Sequence, residues 1–219
     1  MKSICILFVL VFTSSIAFAQ EEDSVDQVDE GGEFYISGGL SFPTQPSEFE
    51  NYWNKGFNIS VGFGYSISPE FLMDIHLDYN NFSFNEDKFL NEFGFTGLNI
   101  DLSGGTGSIF ILALNFKAYL VTTPYSVSPY LIGGFGSIYN FTDDVTATSG
   151  EKSATIPGGY GFGMALPLGC GVDIPLYESI YGEIIFIYLE GKYVLGFTGA
   201  ESGNTHFTQL NAGFKLRAF

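Results

Sequence analysis

From about residue 33 onward, apolar and polar side chains alternate along much of the chain. In "GFNISVGFGYS", Phe57, Ile59, Val61, Phe63 and Tyr65 alternate with Asn58, Ser60, Gly62, Gly64 and Ser66. Phe71, Met73, Ile75, Leu77 and Tyr79 oppose Leu72, Asp74, His76 and Asp78. Leu210, Ala212, Phe214, Leu216 and Ala218 oppose Asn211, Gly213, Lys215 and Arg217. Residues 162–174 set Phe, Met, Leu and Val against Gly163, Ala165, Pro167, Gly169, Gly171 and Asp173. Near the start, Phe34, Ile36, Leu40 and Phe42 alternate with Tyr35, Ser37, Gly39 and Ser41. A period of two is the signature of β-strands with two unlike faces. Residues 129–141 and 179–193 are strands by composition but have a weaker phase.

The stretch "SIFILALNFKAYLV" (Ser108 to Val121) tests the reading. As a helix it would span about 21 Å, short of a ~30 Å hydrocarbon core, and place Asn115 and Lys117 about 200° apart. In lipid, Lys117 would then cost ~2.5–3.5 kcal/mol. As a strand, Ile109, Ile111, Ala113, Asn115, Lys117 and Tyr119 share one face, and both polar residues point the same way. The pattern predicts eight strands, at 33–42, 56–67, 71–82, 107–121, 129–141, 159–174, 180–193 and 207–219. Only residues 86–95 suggest a short helical turn.

Alternation alone does not say which face is inside. A soluble barrel hides its apolar face, and a membrane barrel does the reverse. The polar face here is mostly Gly, Ser, Ala and Asn, which suits a cramped interior. Connections alternate long (43–55, 83–106, 142–158, 194–206) and short (68–70, 122–128, 175–178), as in outer-membrane barrels. Tyr65, Phe71, Tyr119, Tyr130, Tyr177 and Tyr181 gather near the short-turn end, where an aromatic girdle is expected. The expectation is an all-β fold: an eight-stranded antiparallel up-and-down transmembrane β-barrel over residues 33–219.

With odd strands ascending, the few inward charges cluster. Asp74 and Lys117 fall near one end of adjacent strands. Asp173 and His76 lie at similar height, and Glu183 faces Lys215 or Arg217. With Asp78 and Asn115, these form an expected polar network inside the barrel, since buried ions need partners.

Composition sharpens this picture. Aromatics reach 17% and charged residues only 15%, an odd balance for a soluble protein. The net charge of −16 argues against nucleic acid, which needs clustered Lys and Arg. Residues 1–19 read as a cleaved export signal, with Lys2, the apolar run Ile4–Phe12 and "AFA" before the cut. "QEEDSVDQVDEGGE" (residues 20–33) holds seven acidic residues and two valines, so a solvated, disordered leader is expected ahead of the barrel. After export Cys170 is alone and reads as a small apolar side chain. No Walker loop, CxxC or HExxH occurs. "GYGFG" (Gly159–Gly163) starts a strand rather than a helix, so no cofactor and no metal site is expected.

On these strands, on "PYLIGGFGSIY" after a short turn and on the terminal Phe219, the chain resembles the small outer-membrane β-barrels: the OmpA membrane domain, OmpX-like proteins and opacity-type "porin family" barrels. The resemblance implies a cell outer-membrane location, contact with outer-membrane lipid, and insertion by the barrel-assembly machinery, which reads the last strand. Three functions follow as alternatives. The first is a non-enzymatic barrel whose acidic outer loops contact or adhere to an unknown surface ligand. The second is a narrow channel for small solutes. The third is a lipid-modifying enzyme, for which His76 and His206 offer little, since neither has a nucleophile in a recognisable spacing.

Overall fold

A computed structural model describes residues 31–45, 47–92, 94–95, 100–122, 126–178, 184–199 and 204–218. The export signal, the leader through residue 30, Tyr181, Glu183 and Phe219 lie outside the described residues. Eight strands close into one barrel: β1 (Gly32–Gln45), β2 (Gly56–Ser68), β3 (Phe71–Ser83), β5 (Thr106–Tyr119), β6 (Ser128–Thr142), β9 (Gly159–Glu178), β10 (Ile184–Thr198) and β11 (Asn204–Ala218). Each pairs antiparallel with its neighbour in the chain, and β1 closes on β11 from Gly32↔Ala218 to Phe42↔Thr208 and beyond. Closure leaves no edge strand, which is what a spanning sheet requires.

The outward face is mostly apolar. Phe63 is 59% exposed, Ile75 56% and Phe214 57%, whereas Lys117 on the inward face is 1% exposed. This inverts a soluble protein and is stable only with acyl chains around the wall, so the barrel is a transmembrane one. An aromatic belt runs near the long-loop end, where the Tyr79 ring lies 4.8 Å from Phe110 and 6.3 Å from Phe57.

Several expectations need correction. Tyr119 and Tyr130, assigned to the girdle, are 9% and 0% exposed and point into the lumen, because they are in phase with Lys117 and Ile132. Tyr65, Phe71 and Tyr177 do face outward. The connection expected at 194–206 shrinks to residues 199–203, since β10 and β11 both continue toward it. β9 likewise runs on to Glu178 through the expected turn.

The long loops also carry structure of their own. Within 43–55 lies helix α1 (Ser47–Tyr52), and the expected turn near 86–95 is helix α2 (Glu86–Glu92), where Asn85 Oδ1 accepts from the Lys88 amide at 3.1 Å. Three short strands, β4 (Asp101–Gly104), β7 (Val145–Ser149) and β8 (Lys152–Ile156), form a second sheet in the order β4-β7-β8. It continues the β5–β6 ladder beyond the rim: Gly107 faces Thr142 in the wall, and Gly104 faces Val145 outside it. The bend between them falls at Gly104 and Gly105, whose φ angles of 91° and 72° suit glycine. One side of this sheet presents Ser103, Thr146 and Thr155, with Thr146 Oγ1 3.3 Å from Thr155 Oγ1.

The wall is interrupted near its middle. Along β6–β9 the partners Gly133↔Leu168 and Gly136↔Ala165 are in register, but Gly134 and Phe135 have no ladder partners. Pro167 stands there, and a proline has no N–H to give its neighbour.

Candidate functional site

The lumen is filled in two layers. Toward the long-loop end, Phe82, Ile109, Ile111, Ala113, Ile138, Ala165, Val194 and Phe207 form a buried apolar cluster, capped by Phe49 of α1 and by Trp53. Phe82 and Phe207 meet edge to face at 5.7 Å. No alternation rule anticipates such a plug, because these inward residues are as apolar as the outward ones.

Amides and hydroxyls lie beneath it. Asn58 Nδ2 donates to Ser41 Oγ at 3.0 Å, Ser41 Oγ donates to Asn80 Oδ1 at 2.7 Å, and Gln209 Nε2 donates to the same oxygen at 2.7 Å.

Two ion clusters fill the rest. In the first, Lys117 Nζ lies 3.3 Å from Asp74 Oδ2 and 3.5 Å from Glu190 Oε2. Lys192 Nζ lies 3.3 Å from Glu190 Oε1 and 3.3 Å from Asp78 Oδ2. Asp74 Oδ2 and Glu190 Oε1 meet these ammonium groups as ion contacts, without hydrogen-bond alignment. Asn115 Nδ2 donates to Asp74 Oδ1 at 2.9 Å, His76 Nδ1 lies 3.1 Å from that oxygen, and Ser60 donates to Asp78. The rings of Tyr35, Tyr130 and Tyr188 surround the Lys117 ammonium at 4.3, 5.0 and 5.7 Å.

The second cluster lies nearer the short turns. Lys215 bridges Glu33, at 3.3 Å, and Asp173, while Arg217 clamps Glu33. Tyr119 OH donates to Asp173 Oδ2 at 2.9 Å, and the Phe186 ring lies 4.4 Å from Lys215 Nζ. Tyr35 joins the clusters: its ring faces Lys117 and its hydroxyl donates to Glu33 Oε2 at 2.6 Å.

Asp74, His76, Asp78, Asn115 and Lys117 thus meet in the first cluster, and Asp173, Lys215 and Arg217 in the second. His76 and Asp173, expected at similar height, fall in different clusters. Glu183 lies outside the described residues, and among those described the acids facing Lys215 and Arg217 are Glu33 and Asp173. Glu33 ends the acidic run and opens the strand expected at 33–42; it is a fully buried residue of β1. Its signal was phase, since it shares the inward set of Tyr35, Ser37 and Ser41. Glu190 and Lys192 were missed because β10 is apolar on both faces over Ile184–Tyr188, which silences the period.

Above the plug, the long-loop end opens into a cleft of about 580 Å³ bordered by Trp53, Phe49, Asn140, Thr205 and residues 157–161. Around it the exposed loop charges are mostly acidic, including Glu50, Glu86, Asp87, Glu92, Asp101, Asp143 and Glu151, against Lys55, Lys88 and Lys152. Glu201 lies outside the described residues. Among the described residues His206 Nδ1 is unpartnered, its ring lies 5.7 Å from Phe197 and 6.5 Å from Tyr193, and Thr44 Oγ1 donates to its backbone carbonyl at 2.9 Å.

No known protein family and no curated protein matches the sequence. Among solved structures the chain is similar to Ail, the attachment invasion locus protein of Yersinia pestis, at 15% identity and a TM-score of 0.48, covering 84% of this chain and 98% of that one. It is similar to Neisserial surface protein A at 12% identity and a TM-score of 0.49, covering 87% and 99%. It is similar to OprG from Pseudomonas aeruginosa at 15% identity and a TM-score of 0.42, covering 86% and 97%. These structural neighbours are small outer-membrane β-barrels, the group the sequence resembles.

Proposed function

We propose that the protein is a non-enzymatic outer-membrane barrel that anchors a contact surface, with its short turns in the periplasm and its long loops outside. The observation carrying this reading is the filled lumen. Among the described residues, a layer of buried aromatic and aliphatic side chains lies over two ion clusters, which supports a lumen closed to solutes. Function is then left to the loops, α1, α2 and the projecting sheet. Their acidic surface suits a partner that is basic or uncharged. The narrow-channel alternative would need the plug to move as a unit. An enzymatic role has little support, since His76 is fully buried beside Asp74 and His206 stands among aromatic rings. Insertion by the barrel-assembly machinery belongs to the same reading.

The test is topological. Glu151→Cys and Glu92→Cys variants on intact cells should react with a membrane-impermeant maleimide, and Pro69→Cys should not. Crosslinking from the reactive positions then identifies what the loops touch. Labelling of Pro69→Cys alone would refute the orientation. Steady conductance steps from the purified protein in a planar bilayer would refute the closed lumen.

A further inference from the structure

The cleft above the plug has a lining unlike the rest of the outer end. Phe49, Trp53 and Phe82 form an aromatic side, and Asn140, Thr142 and Thr205 a polar one. None of its described lining residues is charged, in a chain of net charge −16. An uncharged pocket within an acidic surface selects against ions of both signs: cations would be held by the loops outside it, and anions would be repelled. A neighbouring shallower cleft shares its Phe141–Thr142 and Gly158–Tyr160 edge and carries Asp143 and Asp144, which strengthens the exclusion of anions.

The polar side has one unmet demand. Asn140 Nδ2 donates to Thr205 Oγ1 at 2.9 Å, leaving the buried Asn140 Oδ1 with no hydrogen-bond partner among the described residues. A buried acceptor without a donor is costly, so a turn of the Asn140 amide that brings Oδ1 to the cleft and to an occupant's hydroxyl is favoured. The aromatic side is held open by backbone: a Cβ on Gly107 would lie 2.8 Å from the Trp53 ring, so only glycine lets the indole lie against β5. The volume lies within the range of small-molecule sites, which is roughly 300–1,000 Å³.

Aromatic faces, neutral amide and hydroxyl groups and the absence of charge describe one ligand class. We propose that this cleft binds a neutral saccharide ring, its C–H face against Trp53 and Phe49 and a hydroxyl donating to Asn140 Oδ1 once the amide turns toward the cleft. The inference deepens the contact-surface reading and rests on it only for the side from which the sugar arrives.

Trp53 is the chain's single tryptophan, so its fluorescence reports the site directly. The full-length mature protein, in lipid nanodiscs free of sugar-headed detergent, would be titrated with a panel of neutral mono- and trisaccharides. A sulfated disaccharide and decanol serve as comparison probes. The expected result is a saturable shift with at least one neutral saccharide and none with the sulfated sugar. Asn140→Leu should weaken that binding roughly tenfold, the value of about one hydrogen bond. Gly159→Phe should abolish it, since a Cβ there meets nothing within 4 Å and the ring can enter the cleft without moving the wall. Circular dichroism would verify that both variants fold. No shift with any neutral saccharide, a shift with decanol alone, or unchanged binding in both variants would overturn the proposal. Maleimide labelling on intact cells is independent of this titration, so failure of the site and failure of the orientation are told apart.

Discussion

The ammonium of Lys117 lies 4.3 Å from the centre of the Tyr35 ring, while the Tyr35 hydroxyl reaches Glu33 at 2.6 Å. One side chain thus serves both ion clusters, a cation on its face and a carboxylate at its tip. Tyr35→Phe keeps the face and loses the tip, which should cost about 1.5–3 kcal/mol for a hydrogen bond to a charged group. Tyr35→Leu loses both, and a desolvated cation–π contact adds about 2 kcal/mol. Urea unfolding from lipid vesicles should order the stabilities as wild type, Tyr35→Phe, Tyr35→Leu. Equal midpoints for the two variants would remove the cation–π contact from the account.

Lys117 balances more acid than one charge should. Asp74, Asp78 and Glu190 face only Lys117 and Lys192 in the first cluster, with His76 beside Asp74. Lys117→Met should cost about 3–5 kcal/mol, because it strands buried carboxylates. Adding Asp74→Asn to Lys117→Met should recover part of that loss. Additive losses in the double variant would mean that the two residues are not coupled.

Phe82 and Phe207 hold the plug shut across the lumen. Either one changed to Ala should cost about 3–5 kcal/mol. The double variant should admit water past the apolar layer and flicker open in a planar bilayer, while the wild type stays silent. Silence from a folded double variant would place the barrier in the ion clusters instead.

Pro167 withholds one donor from the middle of the wall. Pro167→Ala restores an N–H facing the Gly134 carbonyl and should raise stability by about 1 kcal/mol. A lower unfolding midpoint would show that the ring's packing in the lumen outweighs the missing bond.

The wall was legible in the sequence because lipid and lumen impose opposite chemistry on alternate residues, as Phe57 to Tyr65 display. Legibility failed where both faces ask for the same residue type. Ile109, Ile138 and Val194 are apolar and inward, so they look like their lipid-facing neighbours. Tyr119 and Tyr130 suit a girdle by type and a lumen by phase, and phase was the better guide. Glu33 carried the right phase for the first strand, but it closes an acidic run, so its role as an inward ion partner did not stand out. The small sheet was invisible because β4, β7 and β8 are short and rich in Ser, Thr and Ala, which read as loop. Its one cue is Gly150 (φ 60°), next to Glu151 in a two-residue turn between Ser149 and its partner Lys152.

The projecting sheet keeps the wall's pairing across its glycine bend, with Asp143 N donating to Thr106 O at 2.9 Å and Gly105 N to Asp144 O at 3.1 Å. A single inserted residue in one leg would slip that leg by one, swinging Leu102 or Val145 from shelter into water. Growth of this outpost is therefore constrained to matched additions on both legs, or to the unpaired tip at Gly150 and Glu151. Its stem is locked to the barrel's own numbering, and its tip is the part free to diversify.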